Sequence, residues 1–294
     1  MPPFRGADKK REVKSMATYE IRPLQLKILE TLLAIDEVCR KHNLRYYIIA
    51  GTLLGAMRHK GFIPWDDDID IAMPRSDYDK LLAHYKEWLP AQYELICAEN
   101  DTNYPHPFAK IQNADTTLIE REHMNYLGGI YIDVFPLDGV PENRIARRWH
   151  FIKYKFYVKA LYFTYRNPYR HGHGPSSWLP LLCRKLFTVE GIQKKMRAIM
   201  TSHDYDKSKY VVDHDDGLKG VMERSVLGTP SPIKFENTTV MGVEHPHDYL
   251  QQKYGEYMVV PPHTKQLQHN FFYLDLEMPY REYAKKNNRE LTRY

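Results

Sequence analysis

The apolar residues Leu24, Leu26, Ile28, Leu29, Leu32, Leu33, Ile35 and Val38 recur mostly at helical spacing, which predicts one long helix from Ile21 to His42. Leu44–Ala50 (LRYYIIA) is β-branched and aromatic and stops at Gly51, which predicts a strand. A short helical pattern resumes over Thr52–His59, and Gly61 and Pro64 then break the chain. Ile69–Met73 is a second strand stopped by Pro74, and Ser76–Trp88 is helical with Ser76 placed to cap it. Leu95–Ala98, Phe108–Asn113 and Thr117–Glu120 are short strand candidates, and Gly128-Gly129 leads into a strand over Ile130–Phe135.

Beyond Pro141 the pattern changes. Residues 144–170 are basic and aromatic, a loop over 167–177 follows, and a second basic helix is expected over about 179–200. A strand returns at Val240–Val243, and a helix starting near His247 closes at Tyr254-Gly255. The division this predicts is a flexible leader (1–19), a core (20–143), a basic helical insert (144–215) and a C-terminal segment returning to the core (216–294). The fold class is mixed α/β, of the α+β kind.

The 294 residues suffice for one large domain or two small ones, and 43% hydrophobic with 27% charged residues is ordinary for a globular chain. Net charge is +5 and the pI about 8.8, which suits phosphate-bearing ligands or an anionic surface but is too weak to point to nucleic acid. The 23 tyrosines offer broad faces with a polar tip, useful around sugars or nucleotides and equally at home in a core. Cys39, Cys97 and Cys183 are odd in number and far apart, which argues against disulfides or thiolate zinc and for a reducing compartment. With no signal-like apolar run and no membrane-length stretch, a cytoplasmic location is expected, compatible with peripheral contact at the inner face of a membrane. The block 144–200 fits an anionic bilayer or, as well, a helical subdomain with a basic solvent face. His171 with His173, and His245 with His247, lack zinc-like partners and read as loop histidines.

The chemistry concentrates in Gly51-Thr52 through Ile63-Pro-Trp65-Asp66-Asp67-Asp68-Ile69-Asp70-Ile71. Strand alternation points Asp68 and Asp70 the same way and Ile69 and Ile71 into the core. Adjacent carboxylates repel unless a cation or proton joins them, and hard oxygen donors suit Mg²⁺ or Mn²⁺. Glycine at a strand-to-helix turn allows close approach to phosphate, and the helix N-terminus offers free N–H groups. An EF-hand is excluded, because its required glycine and glutamate positions hold Ile71 and Asp77. A solvated acidic turn fits poorly with a run that feeds straight into an apolar strand. Strand, glycine turn, helix and a strand bearing Asp-Ile-Asp-Ile is the layout of nucleotidyltransferase-like proteins, and Asp133 in Tyr131-Ile-Asp133-Val-Phe fits their third carboxylate.

Gly51–Arg58, Ile63–Ile71, Arg75, Asp77-Tyr78, Tyr131–Asp138, Tyr254–Met258, Pro261-Pro262 and His269 together resemble the LicD family, related to the fukutin group of glycan phosphotransferases, over about residues 24–270. The resemblance implies a nucleotidyltransferase-like mixed-sheet core with a mostly helical insert. It implies transfer of a phosphoalcohol, typically phosphocholine from CDP-choline, to a hydroxyl of a cell-surface glycan, lipopolysaccharide or teichoic-type precursor. It would make Asp68 and Asp70 the metal ligands, Asp66 an extra or outer ligand, and Asp133 the residue that completes the site and helps deprotonate the acceptor. Gly51, Thr52, Arg58 and Lys110 are the expected phosphate contacts, with Arg75 behind them. Trp65 and Tyr131 are candidates for an aromatic choline cage, and His269 and Lys265 for contacts from the C-terminal segment. Two rival readings stand: a true nucleotidyltransferase acting on a small molecule or RNA, and a non-catalytic membrane- or glycan-binding module. The alcohol, whether choline, ethanolamine, glycerol or ribitol, leaves the core chemistry unchanged.

Overall fold

In a computed structural model, residues 19–120, 127–169, 173–269 and 271–289 are described; residues 1–18 of the expected leader, and His171, lie outside them. In chain order the elements are α1 (Ile21–Lys41), β1 (Tyr47–Ile48), α2 (Ala50–His59), β2 (Asp70–Pro74), α3 (Arg75–Trp88), β3 (Tyr93–Ile96), β4 (Ala109–Asn113), β5 (Thr117–Ile119), β6 (Tyr131–Val140), α4 (Arg144–Tyr165), α5 (Pro175–Leu186), α6 (Val189–Met200), β7 (Tyr210–Asp213), β8 (Met222–Glu223), α7 (Arg224–Leu227), β9 (Ser231–Phe235), β10 (Thr238–Gly242), α8 (Pro246–Tyr254), β11 (Tyr273–Asp275) and α9 (Tyr280–Lys286). The mixed α/β expectation holds: nine strands form one sheet in the order β3-β4-β6-β2-β1-β10-β9, with β7 joining β6 and β8 joining β7. β2 runs parallel to β6 and β1 parallel to β10, and the other pairs are antiparallel. β5 and β11 make a separate two-stranded sheet.

The predicted 3.6-residue stripe on α1 is what folds this helix onto the sheet. Leu24, Ile28, Leu32 and Ile35 are buried against the strands, each contributing about 1.5–3 kcal/mol. Arg40 and Lys41 sit in the last turn, where the helix dipole favours cations. β6 is the central strand, flanked on one edge by β2 and on the other by β4 and then β7.

Several boundaries differ from the sequence expectation, each for a local reason. Leu44–Ala50 contracts to Tyr47–Ile48: the Leu44 N–H closes α1 on the Cys39 carbonyl (2.8 Å), and Ala50 turns left-handed at φ 47° to begin α2. Ser76 does not cap α3, which starts at Arg75 with no side-chain cap. The strand expected at Leu95–Ala98 ends at Ile96, because the Asn100 side chain takes the Cys97 N–H (3.0 Å) and turns the chain. The single helix expected over 179–200 is two, separated at the extended Phe187, with Thr188 capping α6 through the Gly191 N–H (3.1 Å). The expected loop gives way to helix at Pro175, a residue whose missing N–H costs nothing in a first turn.

Helices α4 and α6 share a small core of Tyr154, Ala160, Leu161, Ile192, Met196 and Met200. Asn143 caps α4 by accepting from the N–H groups of Ile145 and Ala146. Within the stretch assigned to the insert, β7 lies in the main sheet. Cys39, Cys97 and Cys183 are buried and unpaired. Among the described residues no helix is long and apolar enough to cross a membrane.

One buried ion pair joins α3 to the far end of β6. Arg75 grips Asp138 with two bonds of 2.7 Å, and His214 stands 3.5 Å from the same carboxylate. Burial would raise Asp138, but the Arg75 guanidinium outweighs it and holds the group at about 2. Arg75, considered above for phosphate, is therefore committed to the fold. A depressed carboxylate stabilises the fold above its unfolded pKa and loses that contribution as pH falls from about 4 toward 2. Arg75→Leu should cost about 3–5 kcal/mol in urea unfolding at neutral pH, because it leaves a buried charge alone. Below pH 4 the gap between wild type and Arg75→Leu should shrink; a constant gap would mean that Asp138 is not the partner.

Candidate active site

The site is built where β1 hands over to α2 beside the start of β2. The Ile49 N–H donates to the Asp70 carbonyl (3.1 Å), and the Asp70 N–H donates to Thr52 Oγ1 (2.9 Å). Thr52 is buried and so anchors the aspartate strand by its hydroxyl. The left-handed residue of the turn is Ala50, not Gly51. Glycine at 51 leaves room for the Asp66 carboxylate: a Cβ there would lie 2.9 Å from Asp66 Oδ2 and push that side chain aside. From α1, Gln25 donates to the carbonyls of Ile63 (3.2 Å) and Asp66 (2.8 Å), fixing the loop before the aspartates.

Three charged groups then lie side by side on three neighbouring strands. Asp70 of β2 is in register with Asp133 of β6, and Asp133 is in register with Lys110 of β4. Lys110 Nζ is buried 3.2 Å from Asp133 Oδ1, 3.6 Å from Glu120 Oε1 and 3.3 Å from the centre of the Tyr131 ring. Asp133 Oδ1 is buried without a hydrogen bond of good geometry. Tyr131 donates its hydroxyl to Glu120 (2.6 Å).

Electrostatics separate these groups. Burial, with repulsion from Asp68, pushes Asp66 up to about 8. Burial also raises Asp68. Asp70 is driven well above the carboxylate range by burial and by Asp68, Asp133, Asp66 and Asp213. Burial lifts Asp133 to about 6 against the pull of Lys110. A divalent cation would relieve this strain, and the all-oxygen donor set has the hardness of a Mg²⁺ or Mn²⁺ site. Among the described residues, however, no group of three or more His, Cys, Asp or Glu side chains is arranged to hold an ion as they stand.

Asp67 behaves differently from both neighbours. It is buried, and accepts from the His269 N–H (2.9 Å), from His269 Nδ1 (2.6 Å) and from the Tyr19 hydroxyl. Burial would raise it, but these bonds outweigh burial and hold it below the usual range, while the bond to Asp67 lifts His269 to about 9. The C-terminal segment is thereby strapped across the acidic run. Between strap and strands lies a cleft of about 80 Å³ lined by Asp67, Asp68, Tyr131, Asp133, His269 and Phe271.

The structure thus brings together Asp66, Asp68, Asp70, Asp133, Lys110, Gly51, Thr52 and Tyr131. His269 reaches the same place, bound to Asp67. Arg58 is directed elsewhere: its guanidinium donates to the carbonyls of Tyr257 (2.7 Å) and Val259 (3.3 Å). Trp65 packs partly buried against the core, edge-on to His59 at 6.1 Å. Lys265 is exposed in a short 3-10 turn. His247 meets the Tyr257 hydroxyl, and His173 lies against the Tyr169 ring. Sequence reading missed Asp67 as an anchor, and it missed Glu120 and Asp213. Nothing local marks Asp67, whose partners lie 48 and 202 residues away.

The LicD/FKTN/FKRP nucleotidyltransferase domain matches residues 43–165. The chain is similar to the lipopolysaccharide cholinephosphotransferase LicD of Haemophilus influenzae, 26% identical over 262 residues that cover 87% of this chain and 97% of that protein. An uncharacterized protein of Rickettsia typhi is 30% identical over 131 residues, 45% of this chain and 40% of its own. One of Rickettsia prowazekii is 30% identical over 118 residues, 40% and 41% of the two chains.

Adjacent aspartates should respond in opposite directions to the same substitution. A carboxylate raised from 3.8 to about 8 destabilises the fold as pH rises through that window, because the unfolded chain ionises first. Asp66→Asn should therefore raise Tm at pH 7.5 without divalent cation, with the gain gone by pH 4. Asp67→Asn removes the charge opposite His269 and replaces the oxygen that faces its Nδ1 by an NH2 donor, and should cost about 2–3 kcal/mol at pH 7.5. Thermal melts that move both variants the same way would contradict the assignment.

Proposed function

We propose, on the premise that residues 43–165 belong to the LicD/FKTN/FKRP nucleotidyltransferase domain family, that this chain transfers phosphocholine from CDP-choline to a glycan hydroxyl. The observation that carries the reading is the row Asp70, Asp133, Lys110 across β2, β6 and β4, with Asp66 and Asp68 beside it. Support from relatives is the name of the Haemophilus protein, a lipopolysaccharide cholinephosphotransferase.

In this reading the acceptor hydroxyl attacks the phosphorus that bears choline. The bond to the bridging diphosphate oxygen breaks, CMP leaves with that electron pair, and the hydroxyl proton passes to a carboxylate. Asp133 suits that role: it is lifted to about 6, and Lys110 keeps it ionised near neutrality. Lys110 is also the cation positioned to meet a phosphate, the part that Arg58 and Arg75 cannot share while bound to carbonyls and to Asp138. Asp68 and Asp70 would hold Mg²⁺ or Mn²⁺, with Asp133 and Asp66 adjoining, and the ion when bound would neutralise the diphosphate charge. A cleft of about 80 Å³ admits an ion and its waters, so the nucleotide and the alcohol would extend outward past the His269 strap.

Phosphorus NMR of the purified chain with Mg²⁺ and, in turn, CDP-choline, CDP-ethanolamine, CDP-glycerol and CDP-ribitol tests this. CMP should form from CDP-choline, by slow hydrolysis where no acceptor is supplied, and should fall at least about 100-fold in Asp68→Ala. CMP from a different donor would change the alcohol and keep the reaction. Silence from all four donors together with pyrophosphate release from a nucleoside triphosphate would replace the proposal with nucleotidyl transfer.

A further inference from the structure

We propose that the exposed face shared by α4 and α5 docks on an anionic lipid bilayer. On α4, Ile145, Trp149, Ile152 and Phe156 recur at i, i+4, i+7 and i+11, so they line one side of the helix. The opposite side, with His150, Phe151, Tyr154 and Leu161, is buried in the protein. On α5, Trp178, Leu182 and Leu186 recur at i, i+4 and i+8, while Ser177, Pro180 and Cys183 face inward. All seven outward residues are half or more exposed, Trp178 and Ile145 by over two thirds. The two stripes belong to packed helices: Arg184 of α5 donates to the carbonyls of Thr164 (3.0 Å) and Arg166 (3.2 Å), and Phe156 meets Phe187 edge-on at 6.2 Å. The apolar area left in water is on the order of several hundred Å², at or above the largest patch a typical soluble monomer shows.

Charge selects the occupant. The sequences of α4 and α5 contain eight Lys and Arg and no Asp or Glu: Arg144, Arg147, Arg148, Lys153, Lys155 and Lys159, then Arg184 and Lys185. By helical angle Lys159 falls closest beside the α4 stripe, Arg148 and Lys153 flank it on opposite sides, and Lys155 lies further round. A protein interface is depleted in lysine at its core, whereas a bilayer surface favours Trp, Phe and Leu inserted beneath a rim of Lys and Arg. Since neither helix can cross a membrane, the pair would lie in the headgroup plane. This inference is independent of the reaction proposed above.

Vesicle co-sedimentation of the full chain tests it, with vesicles of phosphatidylcholine alone or mixed with phosphatidylglycerol. Binding is expected only to the mixed vesicles, with a blue shift of tryptophan emission, and should weaken at high salt. Replacing Lys155 and Lys159 by Gln should weaken it about fivefold for each charge removed. The double substitution Ile145→Glu with Trp149→Glu should abolish binding and leave the melting temperature unchanged, since both side chains are mostly exposed. Failure of the wild type to bind mixed vesicles, or equal binding by the double variant, overturns the proposal. A concentration-dependent dimer that the same double variant dissolves, without vesicle binding, would give the face to a second copy of the chain.

Discussion

The constraint on which the site depends is the repulsion among four carboxylates gathered where β2 and β6 run parallel. Asp66, Asp68, Asp70 and Asp133 would each be easier to keep in water, yet all are raised by burial. The surrounding structure holds them together by means that do not neutralise them. Thr52 fixes Asp70 through its backbone, Gly51 vacates the space that Asp66 fills, and Gln25 pins the loop by two carbonyls. Opposite charge comes from Lys110 at Asp133 and from His269, held by Asp67 beside Asp66 and Asp68. Such a set is poised for a cation or a proton, which is the electrostatic form expected of a phosphoryl-transfer centre.

The same run of sequence also anchors itself by alternation. Asp66, Asp68 and Asp70 are half-buried, whereas Asp67, Ile69 and Ile71, which alternate with them, are buried. Period-two geometry thus begins before β2 is formally paired, and one face carries chemistry while the other carries attachment. Ile69 and Ile71 attach to the hydrophobic core. Asp67 attaches by hydrogen bonds to Tyr19 and His269, so three aspartates that look equivalent in sequence divide into two kinds.

Much of this was legible in the chain. The long amphipathic α1, the Asp-Ile-Asp strand and the register partner Asp133 follow from apolar periodicity, which a buried element must obey. Lys110 was legible as the cation between the apolar Ala109 and Ile111 of a strand candidate. What escaped were choices set by distant partners. Arg58, Arg75 and Lys110 are alike as sequence, yet Tyr257 holds the first, Asp138 the second, and only the third faces the carboxylates. The turn singled out for Gly51's close approach to phosphate has its left-handed residue at Ala50, whose N–H donates to the Tyr249 hydroxyl 199 residues away (3.3 Å). The break at Phe187 was marked by Thr188, a capping residue in a run that otherwise reads as one helix.

Strand β6 links the two halves of the molecule through residues of opposite parity. Asp133 at one end faces the carboxylate cluster, and Asp138, an odd number of positions later, points to the other face of the sheet. There it binds Arg75 and approaches His214, whose ring meets His150 of α4 at 2.9 Å. At most one of the two facing nitrogens carries a proton in that contact, and His150, lowered to about 4 by burial and the neighbouring His214, is neutral. The buried side of α4 is therefore fixed to the same strand that carries Asp133, through a chain of polar contacts rather than through apolar packing alone. A helix held in this way can leave its outer face apolar without being free to turn that face inward. The orientation of the exposed stripe relative to the strand that carries Asp133 is thus set by the Asp138 network and does not depend on anything that covers the stripe.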